Sequence, residues 1–249
     1  GTGSGGAPVL SQVARKQGTV VVGLVTKPFP FERDRLRVAV DSVRLMLNAC
    51  DTVVLLDNQS PEPSSLLLPF GMNPDAVGQT CCSVIASIVQ TFADSSLVNC
   101  GLDEFRTMLR RGGLAKASTG ESYSLSGAEE ATLNALRNAM PDGDFVDVDG
   151  VFLDILGDSN VQDADVASAL ESVAYRIRSD AELLYGRRVD PAIQGVTRAN
   201  LLFTGVSFPY SWIGYRNLPF DIYELEPESG EEESISLDLG LHQIEDYAV

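Results

Sequence analysis

Apolar positions in the first third of the chain alternate between two spacings. Val9, Leu10, Val13 and Ala14 fall on one side of a helix that Gly18 can end, and residues 19–26 follow as an apolar strand. After the proline-aromatic turn Lys27-Pro28-Phe29-Pro30-Phe31, Leu36, Val40, Val43 and Leu47 recur at helical spacing. Residues 51–57 read as a second buried strand. Strands apolar on both faces and alternating with helices predict a parallel sheet covered on both sides, the α/β class.

Pro74 suits the first turn of a long helix capped by Asn73 and running to about Ala93. That helix is almost uncharged, so it is expected to be covered on most sides, centrally between two lobes. Residues 97–105 read as a loop running into a short helix with Phe105, Met108 and Leu109. Ser126 and Glu129 form a capping box for the next helix, and residues 141–144 form a turn. Beyond it come a strand over 151–156, a helix face of Val166, Leu170, Val173 and Ile177, and strands over 181–185 and 199–206. This second pattern predicts an α+β unit distinct from the first.

With 249 residues, 44% of them apolar, the chain can bury one or two ordinary cores. No apolar run reaches the roughly 18 residues of a membrane span, and a cytoplasmic protein with no direct membrane insertion is expected. The formal charge is -17, and residues 221–249 hold 10 of the 35 acids and no Lys or Arg. No basic stretch is present to replace the counterions of a phosphate backbone, which argues against nucleic-acid binding. Only Lys16, Lys27 and Lys116 among the 18 bases are lysines, a balance that fits adaptation to high salt as well as an ordinary acidic protein. Cys50, Cys81, Cys82 and Cys100 lack the spacing of a zinc site, and His242 is the single histidine, so metal binding through soft ligands and Ser-His-Asp catalysis are poorly supported.

The candidate chemistry lies at the start. Gly1-Thr2-Gly3-Ser4-Gly5-Gly6 is read as a loop whose backbone N-H groups approach an anion, with a helix N-terminus directly behind it. Gly1, Gly3 and Gly6 satisfy G-x-G-x-x-G, but no acidic residue ends the following strand to hold a ribose, so a nicotinamide enzyme rests on the glycines alone.

Four segments carry a resemblance, and they occur in family order. Gly1-Thr2-Gly3-Ser4-Gly5 before Ala7-Pro8-Val9 resembles the tubulin signature loop, G-G-G-T-G-[ST]-G, without its first two glycines. Val25-Thr26-Lys27-Pro28-Phe29-Pro30-Phe31-Glu32 is similar to the loop that follows in FtsZ. Leu97-Val98-Asn99-Cys100-Gly101-Leu102-Asp103-Glu104-Phe105 resembles the FtsZ catalytic loop. Residues 150–157 and 183–189 resemble the C-terminal FtsZ domain. The chain is thus identified as a member of the tubulin/FtsZ superfamily that begins inside its nucleotide site. Residues 55–58 are closer to archaeal CetZ and residues 26–29 to FtsZ, which suits a divergent archaeal relative.

The resemblance implies a cytoskeletal GTPase that polymerises, with GTP hydrolysed between subunits, in division or cell-shape control. The alternative is an assembly partner with little or no hydrolysis. It divides the chain into part of a GTP-binding domain (1–73), a central helix and linker (74–98), a catalytic loop with an α+β domain (99–224) and an acidic tail ending in an apolar motif (225–249). GTP/GDP with Mg2+ is the implied cofactor. The amides of Gly1, Thr2, Gly3, Ser4 and Gly5 would cradle phosphates, and Thr26, Glu32 and Arg35 would line the ribose side, with Arg33 or Arg37 as alternatives to Arg35. Asn58 would face the nucleotide, and Gln79 on the central helix would read the guanine edge. Asn99 and Glu104 would be catalytic. Gly101 stands where an aspartate is usual, and slower hydrolysis is expected for that reason. Partners would be further copies of the chain along a filament, and a membrane-anchor or division protein bound through residues 235–249, where Leu237, Leu239, Leu241, Ile244 and Tyr247 lie.

Overall fold

Val22–Thr26 (β1) and Thr52–Leu56 (β2) pair in parallel, connected by the helix Arg33–Ala49 (α2). The pairing follows from five successive buried positions in β2, which needs cover on both faces. This is a computed structural model, and it describes residues 2–28, 32–56, 74–93, 97–98, 101–124, 127–139, 148–190 and 193–207. The remaining elements are α1 (Thr2–Lys16), α3 (Pro74–Ala93), β3 (Leu97–Val98), α4 (Leu102–Arg110), β4 (Leu114–Ser122), α5 (Gly127–Ala139), β5 (Gly150–Gly157), α6 (Asp163–Ala174), β6 (Glu182–Val189) and β7 (Thr197–Thr204).

The described strands form a single seven-stranded sheet in the order β1-β2-β4-β7-β5-β6-β3. All strands but β7 and β3 run in one direction. β2 pairs in parallel with β4 through Val53↔Leu114 to Leu55↔Lys116, so the strands of the two expected units share one sheet instead of forming separate ones. The joint is β4, which the apolar pattern does not reveal, because its sequence Leu-Ala-Lys-Ala-Ser-Thr-Gly-Glu-Ser is small and polar.

Side-chain alternation sorts the layers. Val54, Leu56, Ala115, Ala117, Phe152 and Leu202 face Val84, Phe105 and Met108, placing α3 and α4 on one side. On the other, α2 covers Val53 and Leu55, and α5 and α6 cover Val151, Leu153, Ile155, Leu201 and Phe203.

Two expected faces differ from those observed. On α1, Pro8 and Ser11 are buried while Val9, Leu10 and Val13 are exposed. The helix packs on α2 through its small residues, Ala7 among them, because these allow close approach. On α3, Val84, Ser87 and Thr91 are buried, whereas Cys82, Ile85 and Val89 are exposed, so one stripe of this helix lacks cover among the described residues. An uncharged surface is not by itself a buried one. α2 follows its pattern, with Leu36, Val40 and Val43 buried and Met46 added. β6 and β7 run further and start two residues earlier, respectively, than the expected strands. Asn73, Ser126 and residues 141–144 lie outside the described residues, as does the tail from 225.

Candidate functional site

The glycine run is not a loop ahead of a helix. α1 begins at Thr2, so Gly3, Ser4, Gly5 and Gly6 lie within its first turns. The chemistry of the position is unchanged, since the first four N-H groups of any helix have no intrahelical acceptor. Gly5 and Gly6 are exposed or open, with no atom within 4 Å of where a Cβ would stand. Gly1 lies outside the described residues.

β1 ends at Thr26, which is exposed. Its neighbour Lys27 is buried, with 4% exposure, and donates its backbone N-H to Leu56 O at 2.9 Å. A buried lysine is seldom found without a counter-charge or strong acceptor. Its burial was not legible in a sequence that placed it at the head of a proline-aromatic turn. Glu32 stands at the N-cap of α2, and its Oε1 accepts from Arg35 Nη1 at 2.7 Å. The structure therefore brings Glu32 and Arg35 together as an ion pair. Gln79 is exposed near the start of α3, and Asn58 is outside the described residues.

The candidate catalytic segment lies elsewhere. Gly101 is the N-cap of α4, and its N-H donates to Glu104 Oε2 at 2.9 Å, the backward half of a capping box. Glu104 is exposed; Asp103 is exposed as well and pairs with Arg106 at 3.2 Å. Asn99 is outside the described residues. Phe105, next to Glu104, packs on Phe92 of α3 and Phe152 of β5, each with ring centroids 4.9 Å away. The far end of α4 lies at the start of the first strands, since Thr52 Oγ1 in β2 donates to Leu109 O at 2.6 Å and Arg110 Nη2 to Gly18 O at 3.4 Å. Thr26 closes the opposite end of β1, four residues and about 13 Å beyond Val22, the partner of Thr52.

One buried polar cluster has no counterpart in the sequence reading. Asp154 in β5 is fully buried, and Arg188 in β6 reaches it with Nε to Oδ1 at 2.8 Å and Nη2 to Oδ2 at 2.6 Å. Asn200 of β7 donates to Oδ2 at 3.0 Å and Thr91 of α3 to Oδ1 at 3.2 Å. The available signal was an aspartate inside a strand that is otherwise apolar on both faces.

Elsewhere, hydroxyls of Ser124 and Ser122 hold the Glu130 carboxyl below its ordinary range. Asp158 is likewise held low, by the backbone N-H groups of Asn160 and Gly195, and lines a cleft of about 450 Å³ with Val189 and Gln194. Burial, then the neighbouring Cys82, pushes the Cys81 thiol up. No helix among the described residues is long and apolar enough to cross a membrane.

Comparison with known proteins places these features. Residues 1–61 match the GTPase domain of the Tubulin/FtsZ family and residues 113–207 the C-terminal domain of the FtsZ family. Cell division protein FtsZ 1 of Thermococcus kodakarensis is 30% identical over 247 residues, covering 98% of this chain and 63% of that protein. A solved empty FtsZ dimer from M. jannaschii superposes with a TM-score of 0.70 at 26% identity, over 83% of this chain and 61% of that one. The fold is shared with the GTPγS-bound protofilament of CetZ2 from Haloferax volcanii, with a TM-score of 0.66 at 19% identity over 86% of this chain and 65% of the other. The chain spans somewhat less than two thirds of these relatives. Two family domains in order, over more than half of the residues and on the matching fold, make this chain a member of the tubulin/FtsZ family.

Proposed function

We propose that this chain is part of a cytoskeletal GTPase that assembles into filaments in cell division, with hydrolysis completed between neighbouring subunits. The observation that carries the reading is the separation of its two half-sites. Thr26 and Glu32, at the N-cap of α2, lie at the C-terminal end of β1, whereas α4, which carries Glu104, ends against the opposite, N-terminal end of β1 and β2. A carboxylate on the helix at that opposite end is better placed to act on the nucleotide of another copy. In this reading, Thr2, Gly3 and Ser4 offer helix-terminal amides to phosphate together with Gly1, while Gly5, whose own N-H already bonds within the helix, lets the anion approach because it carries no side chain. Thr26, Glu32 and Arg35 meet the ribose side, Asn58 and Gln79 contact the nucleoside, and Asn99 and Glu104 position the attacking water. Mg2+ would accompany GTP, held by phosphate oxygens, water and one or two carboxylates. The dimer and GTPγS-bound protofilament found in the two structural neighbours support self-association as the mode of action.

Gly101 favours a second reading, an assembly partner that hydrolyses little or no GTP, because the N-cap of α4 carries no carboxylate beside those of Asp103 and Glu104. Sedimentation of the chain with GTP, GDP or NADH separates the possibilities. GTP-dependent pelleting with phosphate release is the expected result. Pelleting without release selects the assembly partner, and binding of NADH in place of GTP overturns both.

A further inference from the structure

We propose that the buried Asp154–Arg188 pair is a positioning clamp for the segment that carries the catalytic carboxylate, an inference that rests on the function proposed above. Asp154 and Phe152 are two residues apart on β5 and therefore share one face of the sheet, the face covered by α3 and α4. Phe152 contacts the rings of Phe92 and Phe105, which bracket residues 93–104. Asp154 accepts from Thr91, immediately before Phe92. Arg188 extends the hold outward, since its Nη1 donates to Gln90 while its other nitrogens grip Asp154.

β6 secures the same segment from its far side. Leu97 and Val98 pair antiparallel with Arg187 and Gly186, directly beside Arg188. Gly186 permits this arrangement, because a Cβ there would stand 2.7 Å from Thr91 Cγ2 and lift α3 off the strand. The last turn of α3, the short β3 and the first turn of α4 are thus tied to one patch of sheet. At its centre is a charged pair that burial makes intolerant of rearrangement. The clamp touches neither nucleotide nor water; it acts through Thr91 and Gln90 on where the chain delivers Glu104.

The test uses the full chain carrying Gln90→Ala and Thr91→Val, which frees the helix while leaving Asp154, Arg188 and Asn200 in contact. Hydrogen exchange followed by mass spectrometry is expected to quicken about tenfold over β3, residues 97–98, and the first turn of α4, the factor set by losing roughly one buried hydrogen bond, with β7 unchanged. GTP turnover should fall by a similar factor through kcat, with KM constant, and Gln90→Glu, which keeps an acceptor for Arg188, should retain parental exchange. Parental exchange over β3 and the first turn of α4 in the double variant overturns the clamp, and so does equal acceleration in β7, which signals general loosening. Gln90→Ala alone, at an exposed position, supplies the same measurement if the double variant does not fold. A parent chain that turns over no GTP defeats the proposed function, while the exchange data still decide the clamp.

Discussion

Gly101 has φ -76° and ψ 158°, a conformation open to any residue, and an added Cβ would find its nearest neighbour, Asp103 N, 4.0 Å away. Gly101→Asp therefore introduces no strain. An aspartate at an N-cap also accepts from the first free amides of α4, though relative to glycine it adds only about a few tenths of a kcal/mol. Under the proposed mechanism, its carboxylate joins Glu104 at the subunit junction and raises GTP turnover per assembled subunit by about tenfold or more. Steady-state phosphate release and a urea melt on the same preparation check both statements, and an unchanged or lower rate counts against the role given to this loop. The short helix behind residues 97–105 was legible because Phe105, Met108 and Leu109 recur at helical spacing, and all three are buried. Asp154 was not, because the partners that make its burial tolerable come from β6, β7 and α3, up to 63 residues away in sequence.

At the level of elements, β4 and α5 lie unusually close. A Cβ on Gly120 would stand 2.2 Å from Ala131 O and 2.3 Å from Ala135 N, both helix backbone and therefore unable to yield as a side chain would. Ser118 donates to Ala135 O at 2.8 Å, while Asn138 and Asn134 donate to Thr119 O and Glu121 O, each at 2.9 Å, lacing the helix to the strand. Gly120→Ala is expected to destabilise the fold by about 1–3 kcal/mol or more, read as a lower urea midpoint at unchanged slope; a midpoint equal to the parent's would show that α5 can move away. The same closeness explains why β4 escaped the apolar pattern. Small and polar residues are favourable there because a helix backbone fits directly against them, a tertiary effect that local propensity does not encode. Strands β2 and β5, whose neighbours are ordinary branched side chains, were legible to within a residue at each end, while β1 begins three residues later than its apolar run. The face of α1 was not, since Val9, Leu10 and Val13 form a plausible apolar side that the helix leaves outward.

For the molecule as a whole, a charge of -17 opposes the approach of like copies. Screening shortens the reach of that repulsion from about 10 Å at 0.1 M salt to about 3 Å at 1 M. The pelleted fraction with GTP should accordingly rise with NaCl across this range, and a steady fall would indicate that attractive ion pairs dominate assembly. The sheet itself carries a temporal consequence. β7 comes last among the described strands in sequence, yet it is inserted between β4 and β5, antiparallel to both. A ribosome must therefore deliver β1, β2 and β4, then β5 and β6, before the strand that joins the two groups exists. Until residues 197–204 leave the exit tunnel, the nascent chain holds two open sheet edges that can pair only with the wrong partners. Timing during synthesis thus becomes part of how this sequence reaches its fold.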